Sequence, residues 1–175
     1  GVKIFDYFVG SIKNLGYAED YKLALGGEGN FRYQEATIQP YKGHRVEKPL
    51  LFSEIRSIIL SKYRSKILLA NDCEADDLLG IYGAESQKQF LKNGRYKYLL
   101  AYIDKDIKQV WGASLFLNKK EEGIQYIKPL EAAKFFCYQL LKGDATDNIQ
   151  GLPDLAVETR EKYSLRKAKG CGDVA

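Results

Sequence analysis

Apolar positions along the chain alternate between helical and strand-like spacing. Ile4, Phe5, Phe8, Ile12 and Leu15 recur at helical intervals and Gly16 follows as a breaker, which predicts a one-faced helix over residues 3–15. Residues 21–25 read as a short strand, after which Gly26, Gly27 and Gly29 impose a loop. Pro49 opens a second predicted helix, with Leu51, Phe52, Ile55, Ile58 and Ile59 on its buried face. Residues 66–70 form the next predicted strand. It runs into a stretch where Asp72 is the expected N-cap and Ala75, Leu78, Leu79 and Tyr82 the packed face of a helix. A strand is predicted over 96–103, a hairpin from 114–117 and 124–127, and a helix from Pro129 to about Leu141 carrying Leu130, Phe135, Phe136 and Leu140. This alternation predicts an α/β fold with a mainly parallel sheet, followed by a small helical C-terminal section.

The polar positions add chemistry to that frame. Glu74, Asp76 and Asp77 crowd three carboxylates into four positions at a strand's carboxyl end. Alone, the trio also reads as an acidic helix start, where each carboxylate gains about a few tenths of a kcal/mol from the helix dipole while repelling its neighbours. A hard cation would neutralise all three. Asp104 and Asp106 repeat the pattern at the end of the 96–103 strand, and Asp144 and Asp147 form a third group after the 129–141 helix. Strand ends of neighbouring parallel strands face one crevice, where open α/β sheets build their sites. Seven carboxylates exceed the needs of one cation, and two Mg²⁺ or Mn²⁺ ions are the natural count for all-oxygen ligation. Such a pair, roughly 4 Å apart, activates a water and holds a phosphate for phosphodiester hydrolysis.

Charge and composition narrow the classes. With 45% hydrophobic and 29% charged residues among 175, the chain has the composition of one ordinary globular domain. Lys+Arg 27 against Asp+Glu 23 gives a net charge of only +4, but the acids cluster, which suits a basic surface around an acidic centre. Residues 31–48 interleave Phe31, Tyr33 and Tyr41 with Arg32, Lys42, His44, Arg45 and Lys48, a mixture that stacks on bases and holds phosphates, or forms a solvated loop. His44 is the only histidine, which argues against His-based nuclease and Ser-His-Asp chemistry, and no Walker A pattern occurs. Cys73, Cys137 and Cys171 form no Cys-x-x-Cys pair, so zinc and disulfide frameworks lack support and an intracellular, cytoplasmic setting is expected. No apolar run reaches the ~18 residues of a membrane span, so no membrane partner is expected. The sequence has no Met, so residues 1–175 are expected to be part of a longer translated protein.

Taken in order, Glu-Ala-Asp-Asp at 74–77, Asp-Lys-Asp at 104–106 and Lys-Gly-Asp-Ala-Thr-Asp-Asn-Ile-Gln-Gly-Leu-Pro at 142–153 resemble the successive signatures of the structure-specific 5′ nucleases. That family includes phage 5′–3′ exonucleases, flap endonucleases and the 5′-nuclease domain of bacterial DNA polymerase I. The resemblance implies a PIN-like nuclease domain over residues 1–150, with an arch segment at 31–49, and part of a helix-turn-helix duplex-DNA-binding element at 151–175. It implies a first cation on Glu74 and Asp76 with Asp77 beside them, a second on Asp104, Asp106 and Asp144, and Asp147 acting through water. By the same resemblance Lys42 and Arg45 contact the scissile phosphate, Arg32 lies on the DNA path, and Tyr33 or Tyr41 stacks on a base. Gly151, Gly170 and Gly172 would meet duplex phosphates, with a K⁺ ion at that element.

Two acids of the family pattern lack counterparts: one falls before Gly1, and the other falls near Gly26 and Gly27, where only Glu28 offers a carboxylate. The expected activity is hydrolysis of DNA near 5′ ends, flaps or branch points, on a single-stranded 5′ end with adjoining duplex, in a bacterial or phage-infected cell. Two other readings stay open: a non-catalytic module that binds branched DNA after losing ligands, and a PIN-type ribonuclease.

Overall fold

The computed structural model describes residues 1–37, 40–43 and 48–152. Arg45, Gly170, Gly172 and most of the 151–175 element therefore lie outside the described residues. The chain divides into two compact units, one from residues 1–30 and 45–78, the other from 31–44 and 79–175, each taken over its described part.

In the first unit, α1 (Val2–Lys13) precedes β1 (Leu23–Gly26), and α3 (Phe52–Lys62) precedes β2 (Ile67–Ala70). β1 and β2 pair in parallel, with Leu23 opposite Ile67 and Gly26 opposite Ala70. Both helices use a narrower apolar stripe than their sequences offer. Val9 is buried, but Ile4 of the expected α1 face is 74% exposed. On α3, Ile55 and Ile59 are half-buried while Leu51, Phe52 and Ile58 are exposed. A helix that meets a single neighbouring helix buries one row at i, i+4, and Ile58 lies off the Ile55–Ile59 row. α3 also starts three residues after Pro49. Leu51 adopts the left-handed conformation at φ 66°, through which a right-handed helix cannot propagate. Asp6 ties the two helices together, accepting hydrogen bonds from Lys62 Nζ and the Tyr63 hydroxyl, each at 2.6 Å.

α4 (Ala75–Asn93) begins in the first unit and continues in the second. Within the second unit lie the short α2 (Arg32–Glu35), β3 (Leu100–Tyr102), β4 (Gly112–Phe116), β5 (Gln125–Ile127), α5 (Pro129–Lys142), β6 (Gly143–Asp144) and β7 (Ile149–Gln150). β3 and β4 are parallel, β4 and β5 form the predicted antiparallel hairpin, and β6 and β7 make a separate antiparallel pair. The described strands thus form three small sheets, where one mainly parallel sheet was expected. The observed β3 is shorter than predicted because the backbone before it is otherwise engaged. Ser86 Oγ on α4 accepts the Lys97 and Tyr98 amides at 3.0 and 3.1 Å and sits 3.3 Å from the Tyr98 carbonyl.

The core of this unit is Leu100, Tyr102 and Ile107, with Leu79, Tyr82, Val110 and Phe116 packed against it. Gly83 lets α4 approach closely, since a Cβ there would stand 2.3 Å from Val110 Cγ1. On α5 the packed stripe runs through Ala132, Phe135 and Gln139, leaving Leu130, Phe136 and Leu140 exposed. A polar residue on the packed row is the feature that the apolar pattern could not announce.

Candidate functional site

The first acidic group sits at the C-terminal end of β2. Asp72, expected as the helix cap, instead takes a left-handed turn at φ 57°, and its amide donates to the Glu28 carbonyl at 2.7 Å. The capping falls to Asp77, whose Oδ2 accepts the Glu74 amide at 2.8 Å, while the Asp77 amide returns to the Glu74 carbonyl at 3.0 Å. Glu74 in turn accepts from Asn30 Nδ2 at 2.9 Å. Asp76 is half-buried in the first turn of α4.

The glycine loop after β1 fits against this turn with no room to spare. The Gly27 amide donates to the Ala70 carbonyl at 2.7 Å, and a Cβ on Gly27 would lie 2.7 Å from that oxygen and 2.1 Å from Asn71 Oδ1. A Cβ on Gly29, already at φ 73°, would lie 2.4 Å from Asp72 Oδ1. Of the two glycines near which the family pattern carries an acid, Gly27 has no space for a side chain here, whereas a Cβ on Gly26 would meet nothing within 4 Å.

The second and third groups both lie in the second unit. Asp104 caps the 3₁₀ turn Lys105–Gln109, accepting from the Asp106 amide at 3.0 Å. Asp144 does the same for the turn Ala145–Asp147, accepting from the Thr146 amide at 2.8 Å. Asp106 is half-buried, with Gln139 Nε2 on α5 donating to it. Burial first, then the Asp104 charge and to a lesser extent Asp144, push its carboxyl above the usual range, although the Gln139 hydrogen bond pulls the other way. Burial also pushes Asp144 up, but the Thr146 amide and Lys105 outweigh it and hold the carboxyl below its ordinary value. Among the described residues, Gln139 Oε1 is buried with no hydrogen-bond partner. A cation would offset the charge that burial and the neighbouring Asp104 and Asp144 disfavour at Asp106, but the three carboxylates do not converge into a ready ligand set. Among the described residues, no three His, Cys, Asp or Glu side chains are grouped as a metal site.

The third group also meets the aromatic and basic segment. Tyr41 donates from its hydroxyl to Asp147 Oδ2 at 2.9 Å, and Lys42 Nζ lies 3.6 Å from Asp147 Oδ1. Tyr33 stands edge-on to Tyr41 with ring centres 5.8 Å apart, and the Arg32 guanidinium lies over the Phe31 ring. Gly151 packs against the Lys142 carbonyl at the end of the β6–β7 pair, where a Cβ would fall 2.3 Å from backbone, so its glycine has a local structural reason. Sequence reasoning missed Gln139 and the Tyr41–Asp147 link, since no spacing rule signals a pair 106 residues apart.

The architecture is an α/β fold similar to that of a phage flap endonuclease. The bacteriophage T5 D15 protein crystallised with metal ions superposes with a TM-score of 0.64 at 16% identity, covering 94% of this chain and 68% of that one. A T5 D15 flap endonuclease variant in a pseudo-enzyme–product complex with DNA and metal ions gives 0.63 at 14% identity, over 97% and 67%. No family model matches the sequence. In sequence, the chain is 30% identical over 168 residues to the 5′-3′ exonuclease of Buchnera aphidicola subsp. Acyrthosiphon pisum (strain APS), covering 90% of this chain. It is 25% identical over 150 residues to DNA polymerase I of Bacillus caldotenax, covering 78% of this chain. The chain spans 56% of the Buchnera protein's length and 16% of the polymerase's. These relatives and neighbours bear the names of a 5′-3′ exonuclease, a DNA polymerase I and a flap endonuclease, the kinds of protein gathered in the family that the three acidic signatures resemble.

Proposed function

We propose that the chain is the nuclease part of a divalent-metal-dependent 5′–3′ exonuclease or flap endonuclease that hydrolyses DNA near 5′ ends or branch points. The observation that carries this reading is Asp106: a half-buried carboxyl held beside Asp104 and Asp144, in a chain related over 90% of its length to a 5′-3′ exonuclease. A cation would offset the charge that burial and the two neighbouring carboxylates disfavour there. In this reading Asp104, Asp106 and Asp144 hold one Mg²⁺ or Mn²⁺, and Glu74, Asp76 and Asp77 contribute to a second. The ions would supply water activation and charge stabilisation on the phosphate.

The chain's own residues do the rest. Gln139 fixes the Asp106 carboxylate and offers Oε1 to a water. Lys42 and Arg45 contact the phosphate and offset its developing charge. Arg32 and Tyr33 lie along the single-stranded 5′ segment, and the glycines at 151, 170 and 172 meet adjoining duplex, with K⁺ as the ion there. The place of action is the compartment that holds the DNA, a bacterial or phage-infected cytoplasm. Replacing Asp104 and Asp106 together by Asn abolishes Mg²⁺-dependent cleavage of a 5′-flap DNA while leaving its binding; undiminished cleavage would sink the reading.

Gly27 favours a second reading, a nuclease-like module that recognises branched DNA without cutting it. Gly26 and Gly27 stand near where the resemblance calls for an acid, and Gly27 has no room for a side chain, which supports a first acidic group short of one ligand. Flap DNA bound in EDTA, with no turnover in Mn²⁺, would establish this second reading over the first.

A further inference from the structure

Asp147 belongs to the third acidic group by sequence, but its surroundings set it apart from Asp104, Asp106 and Asp144. Its two carboxylate oxygens carry Tyr41 and Lys42, at 2.9 and 3.6 Å. The backbones repeat the link. The Lys42 amide donates to the Asp147 carbonyl at 3.1 Å, and Asn148 Nδ2 donates to the Pro40 carbonyl at 3.0 Å. Both segments turn sharply at this junction, with Lys42 at φ 54° and Asn148 at φ 60°. Asn tolerates the left-handed region, but Lys does so only where neighbouring contacts hold it. The Lys42 side chain is 10% exposed and that of Asp147 19%, so the pair is shielded from water, where an ion pair is stronger than at the surface.

We propose that Asp147 is a positioning residue that fixes the Tyr41–Lys42 turn, and so the place of the Lys42 ammonium, and that it is not a cation ligand. An acid that faces a hydroxyl and an ammonium is a poor seat for a divalent cation, which would bring further positive charge beside Lys42. The same clasp sorts the two tyrosines. Tyr41 is 7% exposed with its hydroxyl engaged, whereas Tyr33 is 62% exposed, so Tyr33 is the ring open to a base. The value of fixing Lys42 rests on the nuclease reading, because a phosphate is what the ammonium would meet.

The test uses the 175-residue chain with Asp147→Asn, Lys42→Ala and the double variant. On a 5′-flap DNA in Mn²⁺, Asp147→Asn lowers kcat by ~10–100-fold, as expected when a catalytic cation is misplaced by a fraction of an ångström. The double variant is no slower than Lys42→Ala alone, because the two residues act as one unit. Mn²⁺ binding followed by titration calorimetry without DNA keeps the parent's stoichiometry and affinity. Loss of a bound Mn²⁺ in Asp147→Asn, or rate losses that multiply in the double variant, would overturn the proposal. A metal-free arm separates it from the nuclease reading: in EDTA, the Lys42 amide exchanges with solvent at least ~10-fold faster in Asp147→Ala than in the parent. Unchanged exchange overturns the clasp even if the parent cuts DNA, whereas accelerated exchange in Asp147→Ala alongside a parent that cuts nothing leaves the clasp standing and removes the nuclease.

Discussion

Lys105 Nζ lies 3.3 Å from Asp144 Oδ2, in a tripeptide whose other two members, Asp104 and Asp106, supply further negative charge. Burial would lower the Lys105 pKa, but the Asp144 hydrogen bond and the charges of Asp144, Asp106 and Asp104 outweigh it and hold the ammonium above its ordinary range. Lys105 is a built-in counterion for the second and third acidic groups. Its side chain is 54% exposed, so its worth is that of a screened pair. Lys105→Met loses about 0.5–1 kcal/mol of stability in EDTA at neutral pH, in the range of a partly exposed ion pair. Chemical denaturation with and without Mg²⁺ measures it, and equal stability of variant and parent in EDTA would show that these acids do not need the ammonium.

Asp106 gives stability a pH dependence of definite sign. Its folded pKa is raised, by burial first and by Asp104 next, above an unfolded value of about 3.9. The native state therefore binds more protons than the unfolded state across that window, and this residue's contribution falls as pH rises through it. Asp106→Asn removes the penalty and keeps an acceptor for Gln139. Without divalent cations the variant is the more stable protein at pH 7 and has no advantage below about pH 4, near the unfolded carboxyl pKa. Urea midpoints at the two pH values check the sign; a parent that is more stable than the variant at pH 7 in EDTA contradicts it.

The glycine loop predicts a steric cost at one position. Gly27→Ala puts a methyl 2.7 Å from the Ala70 carbonyl oxygen, which is backbone and cannot swing aside. Destabilisation of about 1–3 kcal/mol follows, as for overpacking in a closed site. Gly26, whose Cβ would meet nothing within 4 Å, is the control and changes stability far less. Similar losses at both positions would remove the steric explanation.

Tyr63 makes the Asp6 junction visible by spectroscopy. Its hydroxyl donates to the Asp6 carboxylate, and that hydrogen bond, with burial and the Asp6 charge adding to it, pushes the phenol up to about 12. Among the 13 tyrosines, ultraviolet titration shows a late-ionising phenol that disappears in Tyr63→Phe and returns to ordinary values in Asp6→Asn. An unaltered titration in Asp6→Asn would mean that the bond does not persist in solution.

Local pattern located α1, β1, β2, the β4–β5 hairpin and α5 within a few residues, since spacing and breakers act on neighbours along the chain. It misjudged the faces of α3 and α5. The stripe a helix buries is chosen by what stands opposite, and on α5 that choice put Gln139 inward and Leu140 outward. Asp72 was legible as a cap by residue type alone. The left-handed turn that joins it to Glu28 depends on the glycine loop and transferred the capping to Asp77.

The order of the three acidic groups, their position after strands or helices and their likeness to the 5′ nucleases were determined by the sequence itself, because residue type and spacing are one-dimensional properties. Only the tertiary structure decided how the acids differ from one another. Asp106 is desolvated, Asp144 is countered by Lys105, and Asp147 is clasped by Tyr41 and Lys42. Each distinction comes from burial or from a partner distant in sequence or carried on a face that packing selects. Electrostatics in a folded chain depends on distance through space and on access to water, and neither is written in the spacing of residues.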